Sequence, residues 1–207
     1  MKTSCFAQGY AGQARWHRAE APSQKTDFGF LRGRFSILEM EIPTETWVSP
    51  DMETRETLNK GKGFFALKMI PKNTPVIVWG GGYTNKENAE KAKQEGKLVM
   101  QWDEDVFSVE TRGEDPGYYI NHSCDPNTWM KDSFTIETKR DIQEGEELTL
   151  DYAVLPNGDD HVSKWECKCG SAHCRKKITG KDWQIKELQE RYKDHFAPIL
   201  NKKINNK

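Results

Sequence analysis

The sequence predicts a β-rich α+β domain assembled from small sheets. Short apolar or alternating runs recur between Trp47 and Tyr152: Gly63–Leu67, Val76–Trp79, Val106–Glu110, Phe134–Thr138 and Glu147–Tyr152. Turn residues separate them, and no regular strand–helix–strand alternation sets in, which favours small sheets over a parallel wind. One segment breaks the pattern: residues 86–99 are polar and rich in Lys, Glu and Ala, and read as a surface helix.

Taken in order, residues 1–27 have no clean periodicity and read as an irregular extension. Residues 28–45 regain apolar character through Phe28, Phe30, Leu31, Phe35, Ile37 and Leu38, with Pro43 and Pro50 marking entry to the main domain. The division expected is 1–46 as an N-terminal extension, 47–160 as the main domain, 161–178 as a cysteine segment and 179–207 as a C-terminal helix and basic tail. In that last part Asp182 stands at an N-cap position. Trp183, Ile185, Leu188, Tyr192 and Phe196 follow with helical spacing, and Pro198 marks the expected stop.

Composition limits what such a chain can be. Only 35% of its 207 residues are hydrophobic and mean hydropathy is −0.87, so the core must be small. Seven Trp, nine Phe and six Tyr compensate, because each aromatic buries a large area. Net charge is −1, which argues against a general polyanion binder, although both ends are basic: six Lys/Arg against two acids in 1–34, and nine against four in 176–207. The N-terminus has no apolar signal region, and no apolar run is long enough to span a bilayer. Five cysteines without a secretory leader point to metal or free thiols in a reducing compartment. The expectation is therefore a soluble intracellular protein, cytoplasmic, or nuclear in a eukaryote, with no membrane and no nucleic acid among its partners.

Two motifs carry the chemistry. Cys167-Lys168-Cys169-Gly170-Ser171-Ala172-His173-Cys174 offers three thiols in eight residues, one short of a closed tetrahedral zinc site, with Gly170 allowing the turn between ligands. The fourth ligand is either His173 or the distant Cys124. Neighbouring residues rarely ligate one ion comfortably, so Cys124 is preferred over His173. Four protein ligands leave no open position, so the metal would be structural. Cys124 lies in Asn121-His122-Ser123-Cys124-Asp125-Pro126-Asn127, and between the motifs runs Glu146-Glu147-Leu148-Thr149-Leu150-Asp151-Tyr152, a strand pattern ending in a tyrosine. Alternation places Leu148, Leu150 and Tyr152 on one face, Thr149 and Asp151 on the other. Gly61-Lys62-Gly63 lacks the rest of any nucleotide-binding fingerprint.

The order of these segments, from Gly61-Lys62-Gly63-Phe64-Phe65-Ala66 and Ile70-Pro71, through Asn121 to Asn127 and Arg140-Asp141-Ile142, to Gly145 through Tyr152 and Cys-x-Cys-Gly-x3-Cys-Arg, resembles the SET-domain protein lysine methyltransferases with a post-SET zinc segment. The resemblance covers residues 47 to about 178. It implies a SET fold of small curved sheets with a knot-like core, binding S-adenosylmethionine on one face and admitting a lysine of a protein substrate, histone or non-histone, from the other. By position it implies that Lys62, Gly63, Phe64, Asn121, His122 and Trp165 hold the cofactor. Trp79, Leu150 and Tyr119 would line the lysine channel, Cys124, Cys167, Cys169 and Cys174 would bind one structural zinc, and Tyr152 would be the catalytic tyrosine.

Three departures stand out. Leu150 occupies a position that is usually Phe or Tyr in that family, which leaves the methylation degree open. Val78-Trp79 replaces the usual Glu-Tyr. No cysteine-rich pre-SET cluster precedes residue 47, as in compact stand-alone members. Two other readings compete: a non-catalytic SET-like module holding a lysine-containing partner, and a zinc-knuckle nucleic-acid binder using the basic ends.

Overall fold

Eleven short strands and three α-helices are present in the computed structural model, which describes residues 43–110, 113 and 115–206. The expected extension lies almost wholly outside the described residues. The strands are β1 (Trp47–Val48), β2 (Met52–Glu56), β3 (Lys62–Ala66), β4 (Pro75–Val78), β5 (Tyr83–Thr84), β6 (Leu98–Asp103), β7 (Val106–Glu110), β8 (Asn121–His122), β9 (Thr128–Met130), β10 (Thr135–Thr138) and β11 (Glu147–Leu150). The helices are α1 (Lys86–Gln94), α2 (Lys186–Tyr192) and α3 (Pro198–Asn205).

They form three small sheets with strand orders β1-β4-β10-β9, β2-β3-β11-β8 and β5-β7-β6. Every pairing is antiparallel except one. In β8, Asn121 and His122 lie parallel to β11, opposite Thr149 and Leu150. That pairing sets the Asn-His motif beside the strand that leads to Tyr152. Asn127 fastens the far end of the motif to the same strand: its Oδ1 accepts from Thr149 N at 2.8 Å and its Nδ2 donates to Glu147 O at 2.8 Å. One side chain thus satisfies two strand backbone groups, as a neighbouring strand would.

The core is aromatic, as the composition suggests. Trp79 stacks obliquely on Trp102, which meets Phe134, which in turn meets Tyr83, with ring centroids 5.6, 6.2 and 5.4 Å apart. Ile77, Ile136, Leu148 and Leu150 fill the space between sheets and are fully buried.

Three elements differ from the sequence expectation. Helix α1 stops at Gln94 rather than 99. Gly96, at φ +81°, turns the chain, and the Gly96 and Lys97 amides close onto the Lys93 and Ala92 carbonyls, both at 3.1 Å. Leu98 then begins β6. Strand β11 ends at Leu150, and Asp151 Oδ1 caps a 3₁₀ turn, Tyr152–Val154, by accepting from Ala153 N at 2.9 Å. Both faces of this stretch are covered, since Thr149 and Asp151 are buried along with Leu148 and Leu150. Finally, the C-terminal helix is broken. A 3₁₀ turn at Asp182–Gln184 precedes α2, another follows at Lys193–His195, and Pro198 opens α3 instead of ending a helix. His195 causes the departure from α2 by stacking on Trp129 at 3.6 Å and bonding Met130 O at 2.7 Å. Lys202 on α3 then pairs with Asp103 of β6 at 2.7 Å. No helix among the described residues is long and apolar enough to cross a membrane.

Candidate active site and thiol cluster

The four cysteines singled out by the sequence converge. Their Sγ atoms all lie within 4.8 Å of one another, and Cys124 Sγ is 4.0 Å from Cys167 Sγ. A tetrahedron with metal–sulfur bonds of about 2.3 Å has sulfur–sulfur edges of about 3.8 Å, so the cluster needs only a small contraction to close on zinc. His173 is no part of it. Its ring is largely exposed, with Nδ1 3.5 Å from a Glu187 carboxylate oxygen.

The thiols are chemically graded. Burial pushes Cys124 well above the usual thiol range and Cys167 up to about 11. Burial also acts on Cys169, but N–H donors from the Cys124 and Ser171 backbone overcome it and bring that thiol down to about 7. Cys169 thus ionises easily, whereas Cys124 and Cys167 need a cation to replace their protons, the behaviour of a metal site. A four-sulfur donor set suits zinc, and no fifth ligand is present among the described residues.

Cys124 also anchors the Asn-His motif. His122 Nε2 lies 3.2 Å from its Sγ, and Arg175 N donates to the same sulfur at 3.3 Å. The other imidazole nitrogen, Nδ1, accepts from Tyr152 N at 3.1 Å. Burial lowers the His122 pKa to about 4, with the nearby Asp151 opposing that fall, so the ring is neutral near pH 7.

Tyr152 is held at both ends. Its hydroxyl donates to Ile120 O at 2.8 Å, and burial raises its pKa well above that of a free phenol. The phenol stays protonated at any physiological pH. With that proton committed to a carbonyl, the oxygen has lone pairs free to accept a hydrogen bond, an arrangement that suits an orienting acceptor better than a base.

The remaining expected site residues fall into two groups. On one side, Asn121 Nδ2 donates to Lys62 O at 3.0 Å and to Glu147 Oε1 at 2.9 Å, and Lys60 pairs with the other Glu147 oxygen at 2.6 Å. A Cβ on residue 63 would lie 2.7 Å from that Asn121 nitrogen and 2.8 Å from Glu147 Oε1, so only glycine lets the asparagine reach the strand. Phe64 meets Tyr119 edge-on at 6.4 Å, and the Lys62 ammonium lies 5.6 Å from the Tyr119 ring. On the other side, the His122 ring has Tyr152 at 5.2 Å and Trp165 at 5.9 Å. Trp165 is 46% exposed, an indole with area free for a planar group. Leu150 is fully buried two residues before Tyr152, in register with His122. Trp79 belongs to the aromatic core and is 8% exposed.

Sequence reasoning gave no role to the ion network behind Tyr152. Asp151, 0% exposed, receives Arg175 at 2.7 and 2.6 Å in a two-point grip, and Tyr192 Oη at 2.9 Å. Arg175 Nε continues to Asp182 at 2.9 Å. The signal available was Arg175 directly after the last cysteine, with an acid directly before the tyrosine.

Glu110 was also unmarked. Burial, reinforced by the charge of Asp115, raises its pKa to about 7. The fold thus favours the protonated form: stability is full below the ordinary carboxylate range and declines as pH rises toward 7, because only the unfolded chain ionises freely. Glu110→Gln should therefore be more stable than the parent at pH 8 and match it near pH 4, as read by denaturant unfolding at both pH values.

Three small sheets, a half-buried tyrosine beside an Asn-His pair and a four-thiol cluster make up the site. Residues 61–153 match the SET domain model. Similar proteins include histone-lysine N-methyltransferase SUV39H2 of Xenopus tropicalis, 29% identical over 56% of this chain. An H3 lysine-36 specific histone-lysine N-methyltransferase of Mycosarcoma maydis is 31% identical over 63%, and histone-lysine N-methyltransferase ASHH3 of Arabidopsis thaliana is 30% identical over 61%. The matches span 36%, 15% and 38% of those relatives' own lengths. Among solved structures, the methyltransferase domain of human SETMAR shares the fold, with TM-score 0.51 and 22% identity over 62% of this chain and 58% of that one.

Proposed function

We propose that this chain transfers a methyl group from S-adenosylmethionine to the side-chain amine of a lysine in a protein substrate, with Tyr152 as the catalytic residue. The observation that carries the reading is the half-buried phenol of Tyr152, its hydroxyl donating to Ile120 O and its backbone held by His122. The SET domain and relatives named as histone-lysine methyltransferases support it. A histone is one substrate the reading admits, and any exposed protein lysine is another. Residues 47–160 act as the SET unit, 161–178 as a post-SET zinc segment and 179–207 as its brace.

The residues fit the cofactor by their own chemistry. Asn121 with the Lys62–Phe64 strand edge offers polar contacts, His122 a neutral imidazole and Trp165 a partly open indole face. When bound, the cofactor supplies a methyl group activated by a sulfonium. A free lysine, with pKa near ~10.4, is protonated at neutral pH and cannot attack. Apolar walls from Leu150, Tyr119 and Trp79 disfavour the ammonium form, so the amine enters neutral. The Tyr152 oxygen accepts an N–H of that amine, and Ile120 O marks the backbone lining. Such alignment can supply up to roughly 10 kcal/mol of barrier lowering. Cys124, Cys167, Cys169 and Cys174 would hold a structural zinc and with it fix the segment bearing Trp165. Thiol ligation of this kind suits a reducing compartment.

Incubating the purified chain with methyl-labelled S-adenosylmethionine and a mixed lysate tests the reading. Label is expected on protein lysines. It should be lost when a chelator strips the metal, with residues 161–180 becoming protease-sensitive, and regained on adding zinc. Cofactor binding without any label transfer would replace the enzyme by a non-catalytic module.

A further inference from the structure

We propose that His122 is a positioning residue whose side chain ties the metal-site thiolate of Cys124 to the backbone of Tyr152. The inference builds on the reading of Tyr152 as catalytic and of the four thiols as a zinc site. It assigns His122 a different task from direct contact with the cofactor.

Proton bookkeeping fixes the arrangement. A backbone amide can only donate, so the Tyr152 N–H at 3.1 Å requires an unprotonated Nδ1. The single proton of the neutral ring must then sit on Nε2, 3.2 Å from Cys124 Sγ. A sulfur that already accepts the Arg175 N–H at 3.3 Å receives a second donor there. Four thiolates around one divalent ion leave two excess negative charges, and N–H donors offset them in a buried site. Cys124 is the most buried of the four ligands, at 0% exposure, so water cannot stand in for either donor.

The same sulfur reaches Tyr152 along a second route. The Arg175 backbone sits on Cys124 while its guanidinium grips Asp151, the residue before the tyrosine. The phenol is therefore set by two linkers that both end on one metal ligand. Metal binding and the placement of Tyr152 become one event, and a chain without metal would lose its methyl-transfer geometry before losing its sheets.

Two substitutions separate the halves of the link. His122→Asn puts an amide oxygen near the Nδ1 position, keeping an acceptor for Tyr152 N while removing the donor to Cys124. His122→Gln carries an amide nitrogen out to the Nε2 position, keeping that donor and removing the acceptor. In the zinc-loaded chain, His122→Asn should release zinc to a colorimetric chelator about 10-fold or more faster than the parent, whereas His122→Gln stays within about 3-fold. Hydrogen exchange at the Tyr152 amide should reverse that order, fast in the glutamine variant and protected in the asparagine variant. Equal effects of both variants on zinc release, or none from either, overturn the proposal. Should a variant not fold, nitrogen NMR of the histidine-labelled parent decides alone: protonation on Nε2 supports the link, and protonation on Nδ1 overturns it. None of these readouts uses methyl transfer. A chain that shows the split but never methylates would keep this inference and lose the catalytic reading.

Discussion

Tyr152→Phe is expected to reduce methyl transfer by about 100-fold or more while leaving cofactor affinity within a few-fold of the parent. The phenyl ring keeps the contacts with His122 and the space among buried neighbours, so the fold has no reason to change. What disappears is one oxygen. In the parent that oxygen donates a hydrogen bond to Ile120 O and offers lone pairs to an incoming group. Without it, an incoming amine loses an acceptor that orients its lone pair, and the Ile120 carbonyl is left unpaired to compete for the amine hydrogens. Removing one preorganised hydrogen-bonding group from a dry active site typically costs two to three orders of magnitude in rate, about 2.7–4 kcal/mol. Because the group acts on the reacting amine, the loss should fall on kcat, with KM for the cofactor nearly unchanged. Single-turnover kinetics with labelled cofactor, beside equilibrium cofactor binding, read both quantities. Unchanged turnover would remove Tyr152 from the mechanism.

Much of this site is written locally in the chain, and the parts that are not share a cause. The thiol cluster was legible because cysteine is rare and three of them crowd into eight residues. The fourth followed from ligand arithmetic, and the structure brings Cys124 to the others. Strands β3, β4, β7, β10 and β11 announce themselves as apolar runs. Strand β2 does not: four of its five residues are exposed, three of them charged, and only pairing with β3 makes it a strand. Strand β8 is two polar residues whose extended form depends on a parallel partner nearly thirty positions away. The periodicity that suggests a single C-terminal helix holds for Trp183, Leu188, Tyr192 and Phe196, which are buried, and fails at Ile185, which is 40% exposed. Periodicity carries no record of the His195–Trp129 stack that breaks it. Alternation places Asp151 on the face opposite Leu150 and carries no record of what covers that face. The cysteine segment brings Arg175 to it and α2 brings Tyr192, so the charge is buried and answered.

Arg175→Met is expected to lower the unfolding free energy by about 3–5 kcal/mol, the largest loss of stability foreseen for any single change outside the metal ligands. The reason is the imbalance it creates. Asp151 is wholly buried, and Arg175 supplies two of its four hydrogen bonds along with the only cation in contact with it among the described residues. Methionine fills similar volume but leaves a carboxylate with no counter-charge, and an uncompensated buried charge costs far more than the intact pair contributes. The double variant Asp151→Asn with Arg175→Met removes both charges. It should recover a substantial part of the loss, because a neutral amide can still accept from Ala153 N and meet Tyr192 Oη. Urea unfolding of the zinc-loaded parent, both single variants and the double variant closes the cycle. Strict additivity would mean that the two residues do not act on one another. Strong recovery would mean that the segment carrying Cys174 is fastened to the strand before Tyr152 chiefly by this pair. The same change should also loosen the tyrosine, since Asp151 caps the turn in which Tyr152 sits, so turnover should fall more steeply with denaturant than the folded fraction does. Turnover that tracks the folded fraction would confine Arg175 to stability and leave the placement of Tyr152 to His122 alone.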